Sequence, residues 1–435
     1  MKNIYFLCYS KGSLPILNYK SFTKTLSGYL LSCILLFMNM NAMAQINGYV
    51  KSGFEPVYNE FKRNFDTGKE SGAALCVYHK GEKVIDLWAG IANKKTKTVW
   101  NEKTLVLYFS ATKVVASLCI AKLHSEGKID YDQRVAYYWE EFAKNGKENI
   151  TVRQLLSHQS GLCLWDGSLS VAELADREKL TEKLENASPY WNPGDYSGYS
   201  AALAGHYMSE LVRRIDDKHR SLGQYFQEEM AQPLGVEFYI GLPDSVGDER
   251  MAHIEMNNPL KRIFMLDKSP KGLIKQMLNP SSLFFKSMTL VKGYNVNERE
   301  TWRIEEPSGN GIGTAESLAK LYSVFSLGAK ELGIQQSTLT ECEGPGLDPK
   351  FPDVDKVMGI PLYYRNGFMK NGEGSTPFPN DSCYGFGGAS GSMAFADPVN
   401  QVGYCYAPNK MGYDFPDSRE GNIQKVLYEC LAGLQ

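Results

Sequence analysis

The chain has 435 residues, of which 43% are hydrophobic and 22% are charged, and its formal net charge at pH 7 is −2. This length and composition are typical of a globular protein with a full hydrophobic core, and they exclude a disordered or fibrous chain. The small net charge gives no support to nucleic-acid binding.

The first 45 residues differ from the rest of the chain. Lysines precede an apolar run at 30–38, and Ala42-Met43-Ala44 follows that run. This order of basic, apolar and small residues is that of a secretory signal peptide, and the run is too short to span a bilayer as a helix. We therefore expect an exported protein, periplasmic or secreted, with one domain over 46–435. The alternative is that residues 1–45 remain as an N-terminal membrane anchor.

The two ends of the domain show β-strand patterns. Residues 53–65 predict an amphipathic helix, and residues 73–92 then predict a β-hairpin that turns at 79–82. Near the C-terminus, residues 392–396 and 402–406 are again strand-like.

The middle of the chain is predominantly helical in pattern. Apolar residues recur at helical spacing, and the segment 240–310 is poorly periodic, so we expect long loops there. Ser200 is expected to cap the third of the helices predicted here, and Thr314 the fourth. The predicted helices cover 113–123, 152–156, 201–215 and 314–325, and a closing helix covers 419–434.

Strands from both ends and helices from the middle predict one architecture. It is an α/β (α+β) fold whose antiparallel sheet is built from N- and C-terminal strands and flanked by helices. The sheet subdomain is expected at about 46–105 plus 340–435, and a mainly helical subdomain is expected at about 106–339.

Ser110 lies three residues before Lys113, at the start of a long apolar-periodic run. Residues i and i+3 share one helix face, so the hydroxyl and the amine lie side by side. A serine in the first turn also lies near unpaired backbone N–H groups and the positive end of the helix dipole. Ser-x-x-Lys also occurs at Ser21, Ser125 and Ser317, but only Ser110 has these surroundings. A hydroxyl beside an amine is a nucleophile beside its own base.

Tyr199 follows the Pro193-Gly194 turn, just before a predicted helix. A tyrosine at such a junction can project its hydroxyl into a cleft. Near the Lys113 ammonium we expect its pKa to fall, because an opposite charge favours the phenolate. It would then share proton transfer from Ser110 with Lys113. The alternative is a tyrosine that packs on the core with its hydroxyl in solvent.

Residues 385–391 contain four glycines. Glycine at this density beside a strand allows another backbone or a ligand to approach closely. A backbone N–H there, with that of Ser110, would form the oxyanion hole that acyl transfer needs. The alternative is a glycine-rich turn between two strands.

Other kinds of active site find little support in the sequence. It contains no Gly-x-Ser-x-Gly elbow, no His-Glu-x-x-His and no P-loop. We interpret His158 as a structural residue at a helix end, because a lysine–tyrosine pair leaves no required role for histidine. No metal and no cofactor are expected.

Together these segments resemble the serine β-lactamase-like superfamily, in its branch of class C β-lactamases, DD-peptidases and family VIII carboxylesterases. The resemblance runs from about residue 54 to the C-terminus and implies a β-lactamase/transpeptidase-like fold. It rests on Phe109-Ser110-Ala111-Thr112-Lys113, on 151–162, on Pro193-Gly194 with Tyr199, and on Gly309-Asn310-Gly311 ahead of 314–319.

The resemblance assigns roles to three residues. It implies that Ser110 is the acylated nucleophile, that Lys113 is its proton partner and that Tyr199 is the catalytic tyrosine. Tyr196 is a rival for that last role, but the distance from Pro193 favours Tyr199.

The family's third motif falls on Phe386-Gly387-Gly388. This motif is usually Lys-Thr-Gly in β-lactamases, and His-Gly-Gly or Trp-Gly-Gly in the esterase relatives. By the resemblance these three residues contact the substrate, and Ala389 supplies the second oxyanion N–H beside that of Ser110.

Two departures from the family pattern bear on the substrate. Phe386 cannot pair with a substrate carboxylate as Lys or His would. Ala201 stands where the Tyr-x-Asn motif has an asparagine, so an amide that bonds the acyl side chain is missing. Both changes disfavour penicillins and D-Ala-D-Ala peptides. They favour an uncharged ester, or a bulky apolar acyl group resting on Phe386.

The sequence therefore predicts an exported serine hydrolase of esterase type that forms an acyl-enzyme with a small-molecule acyl substrate. The alternatives are a β-lactamase or DD-peptidase that recruits its anchoring charge from a loop, and a catalytically silent binding protein on the same fold. Contact with a membrane is expected only through an N-terminal anchor.

Overall fold

The structure is a computed structural model that describes residues 45–258 and 265–434. One nine-stranded sheet dominates it, and every strand pairing within that sheet is antiparallel. Its strands are β1 (Asn47–Val50), β2 (Gly72–His79), β3 (Glu82–Asn93), β4 (Thr98–Val99), β10 (Tyr363–Arg365), β11 (Phe368–Lys370), β12 (Tyr384–Gly387), β13 (Met393–Asp397) and β14 (Val402–Pro408). The spatial order is β1-β3-β2-β14-β13-β12-β11-β10, with β4 beside β3. Since β2 pairs with β14, the sheet is built from both ends of the chain, as predicted.

Two smaller sheets lie in the middle of the chain. Their strands are β5 (Val106–Leu107), β6 (Leu169–Ser170), β7 (Phe238–Tyr239), β8 (Val291–Lys292) and β9 (Ile312–Gly313). One sheet has the order β5-β9-β7 and is antiparallel, and the other pairs β6 with β8 in parallel.

The β2–β3 hairpin turns at Lys80 and Gly81, whose φ angles are +54° and +81°. Two central residues with positive φ match the right-handed twist of the paired strands. The hairpin predicted over 73–92 is therefore confirmed.

Helices cover the sheet and fill the middle of the chain. They are α1 (Glu55–Asp66), α2 (Thr112–Ser125), α3 (Val135–Tyr138), α4 (Val152–Leu156), α5 (Val171–Ala175), α6 (Arg177–Asn186), α7 (Ala204–Ile215), α8 (Leu222–Phe226), α9 (Gln232–Leu234), α10 (Lys271–Leu278), α11 (Leu283–Ser287), α12 (Arg299–Trp302), α13 (Ala315–Ser326), α14 (Gln336–Glu343) and α15 (Ser418–Gly433). The mixed α/β class and its antiparallel sheet agree with the prediction.

Helix α2 runs through the centre of the core. Twelve of its fourteen residues are buried, so it has neighbours on all sides instead of one apolar stripe. Lys113, in its first turn, is buried for the same reason. A 3₁₀ turn at Phe109–Ala111 leads into this helix.

Helix α13 packs directly on strand β14. The Thr314 hydroxyl accepts from the Ser317 N–H at 3.1 Å, so the predicted cap is confirmed. A Cβ at Gly403 would come within 2.6 Å of the Ser323 Cα, so glycine allows the helix to lie close to the strand.

The start predicted for α7 is wrong. The helix begins at Ala204 after Leu203, which gives no side-chain cap, and Ser200 is not its N-cap. The Ser200 hydroxyl donates instead to the Leu162 carbonyl at 2.8 Å. Tertiary hydrogen bonds hold residues 200–203 out of the helix, and these bonds belong to the site described below.

The segment 240–310 is more ordered than predicted. Among its described residues lie helices α10, α11 and α12, strand β8 and 3₁₀ turns at Asp248–Arg250 and Leu266–Lys268. Single helices of four to eight residues give too few turns for periodicity to reveal them.

Residues 1–44, on which nearly all of the predicted signal or anchor falls, lie outside the described part of the chain. Among the described residues, none of the helices combines the length and the apolar character that a membrane crossing requires. The division into a sheet subdomain and a helical subdomain at the stated boundaries stays a prediction.

Candidate active site

Ser110 lies in the 3₁₀ turn that precedes α2, and its side chain is partly exposed. The residue before it, Phe109, has φ of +49°, which is unusual for a bulky side chain and sets the turn apart from the helix. Tyr199 donates its hydroxyl hydrogen to the Ser110 Oγ at 2.5 Å, and the Lys113 Nζ lies 3.4 Å from the same oxygen. The three residues predicted to act together are therefore in contact.

Two backbone carbonyls from distant parts of the chain hold the Lys113 amine. Its Nζ donates to the carbonyl oxygens of Ala201 and Ser308, each at 2.7 Å. Burial lowers the pKa of the Lys113 ammonium, and the negative charge of Glu306 opposes that shift. A larger fraction of the Lys113 amine is therefore neutral than for an exposed lysine, and its hydrogens are held by fixed acceptors.

The predicted fall in the pKa of Tyr199 is wrong. Burial raises the pKa of the phenol well above its usual range; the hydrogen bond to Ser110 opposes this, and the carboxylates of Glu306 and Asp355 add to it. The Lys113 Nζ lies 5.1 Å from the centre of the Tyr199 ring and donates elsewhere, so it does not stabilise a phenolate. Tyr199 is a neutral hydrogen-bond donor in this site.

Stacked aromatic rings fix the Tyr199 side chain. The rings of Tyr364 and Phe386 stack with it at centroid distances of 6.1 and 5.9 Å, and the His158 ring meets it edge-on at 5.2 Å. Tyr196, the rival, is placed differently: its ring packs against Phe351 at 5.6 Å.

Phe386 has a position that the sequence did not indicate. Its side chain is only 2% exposed, because it packs under Tyr199 and Tyr364. We expected an acyl group to rest on this ring, whereas in the structure the ring supports the tyrosine. Direct contact of Phe386 with a substrate stays a prediction.

The glycine-rich turn after β12 closes on the segment that carries Ser110. A Cβ at Gly388 would overlap the Tyr108 carbonyl oxygen, and the Ser392 hydroxyl donates to that carbonyl at 3.2 Å. Close backbone approach, which the glycines predicted, is therefore present at Gly388. Ala389 is exposed next to this contact, and only Phe109 lies between Tyr108 and Ser110.

His158 supports the backbone next to Tyr199 through a contact that the sequence did not reveal. It follows the end of α4 with φ of +57° and is 2% exposed. Its Nδ1 accepts from the Ser200 N–H at 3.1 Å, which positions the backbone next to Tyr199. Burial, with help from Lys113, lowers the pKa of His158 to about 3, so the ring is neutral. The interpretation of His158 as a structural residue fits this geometry.

Glu306 is the functional candidate that the sequence analysis missed. It lies three residues before the Gly309-Asn310-Gly311 motif, which was its only sequence signal. Its Oε1 accepts from the Ser308 N–H at 3.1 Å and lies 3.4 Å from the His206 Nε2. Burial raises the pKa of Glu306, and Lys113 opposes the shift. Because Ser308 also bonds Lys113, this loop couples a buried carboxyl to the amine.

His206 separates the site from a neighbouring cavity. Burial lowers its pKa to about 3. The cavity, of about 400 Å³, lies between α5, α6 and α7, and its lining includes His206 but not Ser110, Lys113 or Tyr199. Within residues 45–258 and 265–434, no three His, Cys, Asp or Glu side chains are grouped to hold a metal ion.

Comparisons with known proteins identify the family of the chain. A family model described as Beta-lactamase matches residues 61–428. The chain is 29% identical over 374 residues to the esterase/beta-lactamase LipL of Mycobacterium tuberculosis, and this alignment covers 85% of the chain and 84% of that protein.

Solved structures give the same result. The crystal structure of a family VIII carboxylesterase matches with a TM-score of 0.77 and 32% identity, over 89% of this chain and 100% of that one. The crystal structure of a penicillin-binding protein homologue from Caulobacter crescentus matches with a TM-score of 0.77 and 33% identity, over the same shares. The chain therefore belongs to the beta-lactamase family and is a serine hydrolase of the serine β-lactamase-like superfamily.

Proposed function

We propose that this enzyme is an esterase that forms an acyl-enzyme through Ser110 and acts on an uncharged carboxylic ester. The observation that carries the proposal is the contact of the Ser110 Oγ with the Tyr199 hydroxyl at 2.5 Å and with the Lys113 amine at 3.4 Å. A binding protein has no need of a hydroxyl, an amine and a phenol that converge on one oxygen.

In the proposed reaction the Ser110 Oγ attacks the ester carbonyl. The neutral Lys113 amine takes the hydroxyl proton, because burial has lowered the pKa of that amine. Tyr199, a neutral phenol, gives its proton to the alkoxide that leaves and recovers a proton from the Lys113 ammonium. Water then attacks the acyl-enzyme, loses a proton by the same route and releases the acid, so that one ester and one water give one acid and one alcohol.

Backbone N–H groups hold the oxyanion in this proposal. Ser110 supplies one at the start of α2, where the helix dipole also favours negative charge. Ala389 supplies the other, since the contact between Gly388 and Tyr108 keeps its turn against the segment that leads to Ser110.

We expect a preference for an uncharged substrate because the site residues include no cation that is free to pair with a substrate carboxylate. Phe386 provides no charge where the β-lactamases have lysine, and the two hydrogens of the neutral Lys113 amine are directed at the Ala201 and Ser308 carbonyls, which leaves its lone pair for Ser110. A substrate carboxylate would thus lose its water without gaining an ion pair here, which is costly. The solved family VIII carboxylesterase and the esterase/beta-lactamase LipL support an ester as substrate.

β-Lactam hydrolysis is the second candidate. It is favoured by the description of LipL as both an esterase and a β-lactamase, and by the match to a penicillin-binding protein homologue. Residues 1–45 lead us to propose export as well, so that either activity would act outside the cytoplasm.

The test compares the full chain with Ser110→Ala on p-nitrophenyl acetate, p-nitrophenyl butyrate and a chromogenic cephalosporin. We expect ester turnover that the substitution abolishes, with little or no turnover of the cephalosporin. Rapid cephalosporin cleavage would establish the second candidate. Absence of Ser110-dependent turnover of all three, together with no labelling of Ser110 by a fluorophosphonate, would contradict an acyl-enzyme altogether.

A further inference from the structure

Residues 265–292, which we call the basic hairpin, have a charge unlike that of the whole chain. They hold five lysines and one aspartate, which gives +4 against −2 for the 435 residues. All five lysines are exposed, and in the described part of the chain none of them forms an ion pair within 4.0 Å. These lysines are Lys268, Lys271, Lys275, Lys286 and Lys292.

Large apolar side chains are exposed on the same segment. Leu278 is 62% exposed, Phe285 39% and Met288 63%. On helix α10, Lys271, Lys275 and Leu278 follow each other at i, i+4 and i+7, so cations and an apolar side chain share one exposed helix face. Leucine, phenylalanine and methionine exposed together within eleven residues are unusual for a surface that meets only water.

Apolar exposure continues on the segments that contact the basic hairpin. The Phe415 N–H donates to the Lys268 carbonyl at 3.0 Å, and the Phe415 side chain is 37% exposed. Phe351 and Val354, which are 45% and 39% exposed, precede the turn that packs against α10. Among residues 45–258 and 265–434, six of the fourteen large apolar side chains that are most exposed therefore belong to the hairpin and its immediate neighbours.

The basic hairpin also lies beside the active site. Helix α10 touches the turn near Gly359, where a Cβ on Gly359 would lie 2.9 Å from the Gly272 carbonyl oxygen. In the same turn, the Val357 side chain packs against Gly198. A Cβ placed on Gly198 would lie 3.3 Å from Val357 Cγ2. Gly198 immediately precedes Tyr199. The hairpin is thus two packing contacts away from the proton donor.

We propose that the basic hairpin binds an anionic lipid surface, with its lysines at the head groups and Leu278, Phe285 and Met288 inserted among the acyl chains. Exposed lysines that interleave with exposed apolar side chains are the composition of a segment that lies in a membrane interface. The attraction needs negative head groups, because the lysines have no negative partners within the described chain. This contact goes beyond the expectation that only an N-terminal anchor meets a membrane. Binding of the hairpin would also turn the Tyr199 side of the active site towards esters held in the lipid surface. This consequence rests on the proposed function.

Binding is measured by co-sedimentation of the full chain with vesicles of phosphatidylcholine that contain about 30% phosphatidylglycerol, at about 0.1 M salt. The variant reverses three charges: Lys271→Glu, Lys275→Glu and Lys286→Glu. Each lysine near such a surface contributes about fivefold in affinity, so we expect a loss of more than about 100-fold. A second variant, Leu278→Ser with Met288→Ser, keeps the charges and should also bind more weakly.

The matched control reverses three other exposed lysines, Lys95, Lys97 and Lys103, which also form no ion pair within 4.0 Å among the described residues. It has the same net charge as the first variant, and we expect it to bind nearly as well as the unmodified protein. Circular dichroism checks that all variants are folded.

The proposal is overturned if the unmodified protein does not bind anionic vesicles, or if the two charge variants bind equally well. Binding that survives in the hairpin variant would come from another part of the chain, such as residues 1–44, and would also overturn it. An unchanged affinity of the serine variant would refute insertion of the apolar side chains. Turnover of a soluble p-nitrophenyl ester is unaffected by any of these results, so failure here is distinguishable from failure of the proposed esterase.

Discussion

Replacing Tyr199 by phenylalanine removes the hydroxyl that donates to the Ser110 Oγ at 2.5 Å and changes nothing else in the side chain. The ring keeps its neighbours, since Tyr364, Phe386 and His158 contact the ring and not the hydroxyl. We therefore expect Tyr199→Phe to fold normally and to lose activity. The hydroxyl is the group that would protonate the leaving alkoxide.

The size of the loss follows from that role. A positioned acid or base contributes roughly 10²- to 10⁴-fold to a rate, or about 3–5 kcal/mol of transition-state free energy. A hydrogen bond that only stabilised the fold would contribute about 1 kcal/mol to unfolding and nothing specific to kcat. We expect kcat/KM for an alkyl ester such as ethyl butyrate, whose alkoxide needs a proton in order to leave, to fall at least 100-fold, while the unfolding temperature changes by a few degrees.

Tyr196→Phe is the matched control. The substitution is identical and lies three residues away, but the Tyr196 ring packs against Phe351 and under the Lys356 ammonium, which is 4.3 Å from its centre. We expect this variant to retain kcat/KM within a factor of about three. The assay is steady-state hydrolysis of the ester by both variants and the unmodified enzyme. A loss of less than tenfold for Tyr199→Phe, or an equal loss for Tyr196→Phe, would refute the assignment of the acid to Tyr199.

Two further predictions concern pH. Glu306→Gln removes the negative charge that raises the pKa of Lys113, so the acid limb of the pH profile of kcat/KM should move to lower pH; a limb that stays in place or moves upward would exclude this coupling. Glu420 is buried, and burial raises its pKa from 4.5 to about 8. Between pH 4.5 and 8 the folded state therefore binds one proton more than the unfolded state. Below pH 4.5 Glu420 is protonated in both states and leaves the free energy of unfolding unchanged, whereas above pH 8 it is ionised and lowers that free energy by about 5 kcal/mol. The variant Glu420→Gln keeps an oxygen that can accept from Gln424. In urea unfolding it should be as stable as the unmodified protein at pH 4.5 and more stable at pH 9. An equal difference in stability at both pH values would contradict this reasoning.

The parts of the fold that the sequence predicted are those set by local interactions. The hairpin at Lys80 and Gly81 and the cap at Thr314 each depend on residues within a few positions of one another. The turn of Ser110 with Lys113 depends on a spacing of three residues on one helix. Short-range patterns of this kind can be recognised without knowing which distant segments pack together.

The parts that the sequence did not predict depend on distant contacts. The Lys113 amine bonds the carbonyl of Ala201, which is 88 residues away, and His158 bonds Ser200, which is 42 residues away. These bonds determine where α7 starts, and they explain why Ser200 is not its cap. No spacing rule reports a carboxyl such as Glu306, because its effect arises only when the chain has folded around it.

The sign of the Tyr199 pKa shift shows what burial does to the whole site. We expected Lys113 to make the phenol acidic, but the lysine is itself buried, and its positive charge is disfavoured for the same reason as the negative charge of a phenolate. One environment therefore shifts the pKa of the amine down and that of the phenol up, and both groups are kept near their neutral forms. A neutral amine accepts a proton and a neutral phenol donates one, so in the mechanism we propose the pair would supply a base for attack and an acid for departure without a second cation. The ring of Phe386, which stacks with Tyr199, fits this proposal, because a lysine in its place would favour the phenolate, whereas a stacked ring leaves the phenol neutral with its proton available.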